Sequence, residues 1–218
     1  MWVALIMTSQ FKSFIESLAS PKGAGPSTTF SMFHIFYALE LTAKKPIGRN
    51  KLAEKLHVGE GAIRTIISRL KDASLIVTSK EGCALTDKGV SVWKNFEDVF
   101  PKRVEIGRTA LTTSEYNYAF LVKNRGHWVK SGIDQRDAAI MGGAKRAIVI
   151  VFKNNRLMIE SVSNSIEKEF PEAAKEILTK LEPQDNDVII IAGADNPLKA
   201  KRGAFAASWV LIDNNEKS

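Results

Sequence analysis

Residues 44–89 read KKPIGRNKLAEKLHVGEGAIRTIISRLKDASLIVTSKEGCALTDKG, and this stretch decides how the first half of the chain folds. Leu52 and Leu56 stand one helical turn apart, and Ile63, Ile66, Ile67 and Leu70 recur at the three-and-four spacing of a helix with one buried face. Between them, His57-Val58-Gly59-Glu60-Gly61 supplies small residues where the chain must reverse, with Val58 as an apolar plug between the two helices. A helix-turn-helix is therefore predicted. Opposite its isoleucines the second helix, expected over Ala62 to Ala73, carries Arg64, Thr65, Ser68, Arg69 and Lys71. Such side chains read base edges or hold phosphates, and Arg49 and Lys51 join them as DNA-binding candidates.

The next residues add a hairpin. Leu75-Ile76-Val77-Thr78 reads as a strand, Ser79-Lys80-Glu81-Gly82 as a tight turn with Lys80 at its tip, and Cys83-Ala84-Leu85-Thr86 as the return strand. Asp87-Lys88-Gly89 then opens another helix, which completes the pattern of a winged helix. The run LAEKLHVGEGAIRTIISRLKDASLIVTSKEGCALTDKG resembles the winged-helix domains of prokaryotic transcriptional regulators. The resemblance implies that the residues matching L-I…G-x-x-L-T-x-K-G form the wing and that the Ala62 to Ala73 helix is the recognition helix. Winged helices also serve as protein-docking modules. Double-stranded DNA is the favoured partner here because the exposed residues around the second helix are basic rather than apolar.

Charge points the same way. The chain carries a net charge of +7, with 14 basic against 9 acidic residues in 1–102 and 17 against 15 in 103–218. Within 44–71 the balance is 8 basic to 2 acidic, so the excess sits on the helix-turn-helix, where a polyanion would lie. A hydrophobic fraction of 44% with 25% charged residues over 218 positions suits a folded chain of one large or two ordinary domains. The single cysteine, Cys83, excludes an internal disulfide and a cysteine-based zinc site. It is expected as a half-buried wing residue, and no second thiol is present to support a redox role. Met1 to Met7 is apolar but too short to span a membrane and lacks a signal-peptide boundary, so a cytoplasmic protein is expected. Met1 and Met7 are both eligible starts.

Three domains are predicted: an N-terminal helix and linker over 1–26, the winged helix over 27–102, and a C-terminal domain over 103–218. Thr8 to Ala19 reads as a helix with Phe11, Phe14, Ile15 and Leu18 on one side, ended by Ser20-Pro21 and a Lys22-Gly-Ala-Gly-Pro26 loop. Its apolar face must be buried on the chain's own core or on a second subunit. Phe30 to Ala43 is the first winged-domain helix, with Phe33, Phe36, Tyr37 and Leu41 as its inner stripe and Pro46 after it. His34 within it has no partner at ligand spacing and is read as structural, so no metal site is expected. Asp87 to Val99 is expected to bury Val90, Trp93, Phe96 and Val99, with Pro101-Lys102 closing the domain.

Beyond Lys102 the pattern turns mixed. Val104–Ile106, Tyr116–Val122, Ala147–Phe152, Leu157–Ile159 and Asp187–Ala192 read as strands, with Asn154-Asn155 as a hairpin turn. Arg136–Gly142, Asn164–Leu181 and Pro197–Ile212 read as helices, so the fold class is α+β, a winged helix-turn-helix followed by a mixed α/β sandwich. The runs GIDQRDAAIMGGAKRAIVIVFKNNRLMI and DVIIIAGADNPLKAKRGAFAASWVLI resemble the C-terminal domain of a group of archaeal winged-helix proteins, a domain of no assigned function. The two resemblances together cover about Ser31 to Asp213.

Two polar groups stand out in that domain. Asp134-Gln135-Arg136-Asp137 opens a helix, and Asp195-Asn196-Pro197 follows an apolar strand and leads into a helix bearing Lys199 and Arg202. Loops at the carboxyl ends of strands in open α/β sheets gather helix-end amides, so Arg136, Asp137, Asp195, Asn196, Lys199 and Arg202 are candidates for a small polar or anionic effector. The plainer reading makes Asp134 and Asn196 N-caps, Pro197 a first-turn proline and Arg136 with Asp137 an ion pair. Gly142-Gly143-Ala144-Lys145-Arg146 lacks phosphate-loop spacing and follows a helix, so it reads as a C-cap. No Ser-His-Asp, paired-carboxylate or phosphate-loop arrangement is legible, and neither catalysis nor a cofactor is expected. The sequence is thus read as that of an archaeal, homodimeric, sequence-specific transcriptional regulator. A protein-interaction adaptor whose winged helix docks on transcription machinery is the alternative, and an enzyme using the C-terminal cleft is a third.

Overall fold

The computed structural model describes residues 2–21, 29–160 and 162–212. The expected Lys22 to Pro26 loop and the Met1 end lie outside the described residues. The chain is mixed α+β and divides into two compact units, Met1–Phe96 and Glu97–Ser218. The division falls within a helix, Asp87–Val99, a few residues before the Pro101-Lys102 boundary expected from sequence.

The first unit is helical. Helices α1 (Trp2–Ala19), α2 (Met32–Lys44), α3 (Arg49–Leu56) and α4 (Glu60–Asp72) precede a hairpin of β1 (Ile76–Ser79) and β2 (Gly82–Leu85), and α5 (Asp87–Val99) follows. Ser31 starts α2, and its amide donates to His34 Nδ1 at 2.9 Å, which gives the histidine the structural role expected of it. Helix α2 is buried around most of its circumference, with Ile35, Phe36, Ala38 and Leu39 fully enclosed. The Phe36 ring meets Phe96 at 5.2 Å and Trp93 at 5.8 Å, and Phe11 of α1 meets Phe96 edge-on at 4.8 Å. Phe11, Ile15 and Leu18, like Trp93 and Phe96, are therefore packed inside this unit. They are not available as the dimer faces that an isolated amphipathic helix suggests.

The turn between α3 and α4 works differently from its sequence reading. The left-handed residue is His57, at φ 52°, with Val58 N–H returning to Ala53 O at 3.1 Å. Gly59 is extended and precedes α4, while Gly61 lies inside it. At the hairpin, Gly82 takes φ 122° and a Cβ there would lie 2.5 Å from the Ile47 carbonyl carbon, because Ile47 exchanges both backbone hydrogen bonds with Cys83. Cys83 is buried, and burial pushes its thiol up in pKa, which disfavours the thiolate that oxidation needs. In α5 the buried positions are Gly89, Val92, Trp93 and Phe96, whereas Val90 is 55% exposed. A Cβ at Gly89 would meet the Leu75 carbonyl at 2.0 Å, so the glycine lets the Leu75 backbone come close and centres the inner face there rather than on Val90.

The second unit is a five-stranded sheet, in the order β3 (Arg103–Ile106), β4 (Tyr116–Val122), β7 (Val188–Ala194), β5 (Arg146–Lys153), β6 (Arg156–Met158). Every neighbouring pair is antiparallel. Helices α6 (Ile133–Met141) and α9 (Pro197–Val210) pack together on β4, β5 and β7. Helices α7 (Ile166–Glu169) and α8 (Pro171–Leu181) join a second cluster, in which Ile177 and Leu181 meet Leu121, Ile150 and Ile189. The single helix expected over 164–181 is broken because Pro171 restarts it as a first-turn proline, with Phe170 at φ −137° between the pieces. Asn154 and Asn155, at φ 51° and 56°, form the two-residue β5–β6 turn that their identities predict. The antiparallel sheet corrects the binding-site logic applied to this domain. The crevice at a topological switch point belongs to parallel sheets with strand ends aligned, and that geometry is absent from this sheet.

Candidate functional site

Helix α4 divides into a buried and an exposed face. Ala62, Ile63, Ile66, Ile67, Arg69 and Leu70 are buried, while Arg64, Thr65, Ser68 and Lys71 are exposed. The exposed set follows the helical repeat, so its members share one side. Arg49 and Lys51 of α3 and Lys80 at the hairpin tip are exposed as well. No large apolar side chain interrupts the α4 surface stripe.

Arg69 departs from this pattern and is a correction. It is 7% exposed, and its Nη1 donates to Leu18 O at 2.8 Å and to Ser20 O at 2.7 Å. Its guanidinium also lies 5.0 Å from the centre of the Phe30 ring. The side chain holds the end of α1, whose last carbonyls need donors, and faces away from any ligand on the opposite side. Position 69 lies seven residues after the buried Ala62, so its place in the inner arc is set by the repeat and not by its charge.

Glu60 ties two of the remaining cations together. It accepts from Arg64 Nη2 at 2.7 Å and lies 3.5 Å from Arg49 Nη2, at a position where all three side chains are about half or more exposed. Exposed pairs of this kind contribute roughly 0 to 1 kcal/mol, so both arginines can exchange the carboxylate for a phosphate at little cost. Thr65 Oγ1 donates to Gly61 O at 3.0 Å, which leaves its lone pairs able to accept. A further basic group that sequence reading passed over is Lys88, whose Nζ donates to Ala73 O at 2.9 Å just past the end of α4. The signal was its place in the Thr86-Asp87-Lys88 run after the hairpin.

In the second unit the predicted effector residues do not form one site. Arg136 pairs with its neighbour Asp137 at 2.9 Å on the surface. Asn196 caps α9, its Oδ1 accepting from Leu198 N at 2.9 Å and Lys199 N at 3.2 Å. Asp195 binds Lys145 at 3.0 Å and Lys199 at 3.1 Å, and these hydrogen bonds hold its carboxyl below the usual carboxylate range. Arg202 Nε donates to Gly142 O, and Gly143 at φ 100° closes α6. Asp137, Asp195, Asn196, Lys199 and Arg202 thus serve as partners and caps of the fold. Asp134 sits in the first turn of α6, where the N-cap is Gly132 at φ 72°. A cleft of about 350 Å³ opens elsewhere, between the 111–114 segment, α6 and the Arg146 end of β5 and β7. Arg136 is the one predicted effector residue that lines it.

A family model described as the PH0730-like N-terminal domain matches residues 35–91, and one described as a domain of unknown function, DUF4443, matches residues 113–211. One falls in each compact unit. Among solved structures, the hypothetical protein PH0730 from Pyrococcus horikoshii OT3 is similar at 28% identity and a TM-score of 0.70, over 84% of this chain and 92% of that one. No curated protein matches the chain.

Among the described residues no helix is long and apolar enough to cross a membrane.

Proposed function

We propose that this chain is a sequence-specific DNA-binding transcriptional regulator of archaeal type. Its first unit is then a winged helix-turn-helix, with α4 as the recognition helix and the β1–β2 hairpin as the wing. The observation that carries the reading is the exposed face of α4, where Arg64, Thr65, Ser68 and Lys71 stand opposite a buried apolar arc. Arg49, Lys51 and Lys80 extend the positive surface on neighbouring elements. A helix presenting cations and hydroxyls, with no apolar anchor among them, suits a major groove better than a protein groove. The similarity to a Pyrococcus protein accords with an archaeal origin.

Fluorescence titration with a duplex selected from genomic fragments tests this. Arg64→Ala is expected to cost roughly 1 to 3 kcal/mol on the selected duplex and to relax its specificity. Lys80→Ala should weaken selected and random duplexes alike and lower the salt slope by about one unit. Binding that ignores salt, or a footprint unchanged by Arg64→Ala, would turn the reading toward the protein-interaction adaptor. A homodimer is part of the proposal, because one winged helix reads a short site and two-fold repetition lengthens it. Sedimentation at micromolar concentration should give twice the chain mass, and a monomer on DNA-free runs would remove that part.

A further inference from the structure

The geometry points to the cleft beside β5 as a binding site for a small phosphomonoester with an apolar body, an inference that stands independently of DNA binding. Three cations line the cleft, Arg136, Lys145 and Arg146; the carboxylates paired with the first two, Asp137 and Asp195, stand outside its lining, and Arg146 has none among the described residues. The site is built by one row of the sheet. Asn117 of β4 pairs with Gly193 of β7, which pairs with Arg146 of β5, so the three share a face. The missing side chain at Gly193 lets the rim of the cleft close onto the strand: a Cβ there would lie 2.3 Å from Ser114 Oγ and 2.9 Å from Asn117 Oδ1, so only glycine allows these two side chains to sit over the sheet. Two residues along, the same face offers Ile191 and Ile148, which with Leu111 give the cleft an apolar floor beside its polar end.

The polar end has donors to spare. Arg146 Nη1 donates to Thr113 Oγ1 at 3.0 Å, and no ion pair to Arg146 exists among the described residues. Because Thr113 Oγ1 accepts there, its own proton is free to donate outward. Lys145 shares Asp195 with Lys199, so one carboxylate faces two ammonium groups and leaves the local balance positive. Asn117 is buried, and its Nδ2 donates to the carbonyls of Thr112 and Ser114, which fixes the loop that forms the rim. A phosphomonoester carries about −1.5 to −2 charges and three terminal oxygens at neutral pH. It therefore matches Arg146, unpaired among the described residues, the exposed pairs of Arg136 and Lys145 that can exchange their carboxylates, and the hydroxyl rim better than a carboxylate does. The volume of about 350 Å³ lies at the small end of ligand sites and suits a single ring or short chain behind the phosphate.

Calorimetric titration of the full chain with phenyl phosphate, benzoate, benzyl alcohol and inorganic phosphate tests the site. Phenyl phosphate is expected to bind saturably below about 10 mM, with inorganic phosphate weaker for lack of the apolar floor and benzyl alcohol silent. Loss of a charge-assisted contact in Arg146→Ala should weaken phenyl phosphate about tenfold or more, and Lys145→Ala should act in the same direction. Lys168→Ala, at an exposed cation outside the cleft, should leave binding unchanged. Because Arg146 is exposed, its replacement should leave the ligand-free melting temperature close to that of the parent chain. The proposal is overturned if phenyl phosphate gives no saturable heat, if benzoate binds as tightly, or if Lys168→Ala weakens binding as much as Arg146→Ala.

Discussion

Replacing Arg69 by Ala is expected to destabilise the first unit by about 3 kcal/mol, since two charge-assisted hydrogen bonds are lost and two carbonyls are stranded. The acceptors, Leu18 O and Ser20 O, lie at the end of α1, more than forty positions away in sequence. Without the guanidinium these carbonyls must find water, and the Phe30 ring loses the cation above it. Urea unfolding measures the loss directly. Its comparison with Arg64→Ala separates two roles that look alike in sequence. Arg64 is exposed and should alter DNA affinity with little change in unfolding free energy, whereas Arg69→Ala, studied well below its melting temperature, should keep the affinity. An Arg69→Ala protein of unchanged stability but weakened DNA binding would return this residue to the proposed DNA-binding face.

A loss of similar size, about 3 kcal/mol, is expected from Asp187→Ala in the second unit, because two backbone amides lose the buried carboxylate that accepts from them, while Lys123, a third exposed, can turn to water. The carboxylate is 1% exposed and fully occupied. Oδ1 accepts from Asn124 N at 2.9 Å, and Oδ2 accepts from Gln184 N at 2.9 Å and Lys123 Nζ at 3.1 Å. Asp187 therefore joins the turn after β4 to the turn before β7, two strands that pair in the interior of the sheet. Asp187→Asn keeps the shape but turns one acceptor into a donor against a backbone N–H, so it should recover only part of the stability. Chemical denaturation that finds both variants within about 1 kcal/mol of the parent would show that water replaces the carboxylate.

What could be read from the sequence was local, and what escaped it was not. The isoleucine spacing of α4 and the two asparagines of the β5–β6 turn each carry their own geometry, and their elements formed where expected. The charge of Arg69 suggests the outer face, but the helical repeat places it seven positions from the buried Ala62 and so inside. Val90 was misread because the close approach of Leu75 to Gly89 is a contact between separate elements. The strands of the second unit were found within a residue or two, but their order and direction depend on partners far apart in the chain. The effector residues would converge at the strand ends of a parallel sheet, and the antiparallel sheet scatters them. Thr113, Ser114, Asn117, Lys145 and Arg146 meet only because Gly193 pairs with both Asn117 and Arg146. The hydroxyl run Thr112-Thr113-Ser114 before a strand was the nearest hint.

The position of β7 also orders events during synthesis. It is the last strand among the described residues and lies between β4 and β5, with antiparallel pairing on both sides. As the chain leaves the ribosome, β3 with β4 and β5 with β6 can each form hairpin-like pairs, but each pair keeps an apolar edge open until residues 188–194 arrive. Those residues, VIIIAGA, are all buried in the finished sheet and close both edges in a single step. The sheet of the second unit therefore cannot be complete until its strand of highest sequence separation arrives, and pairing across such separation is a slow kind of event in folding.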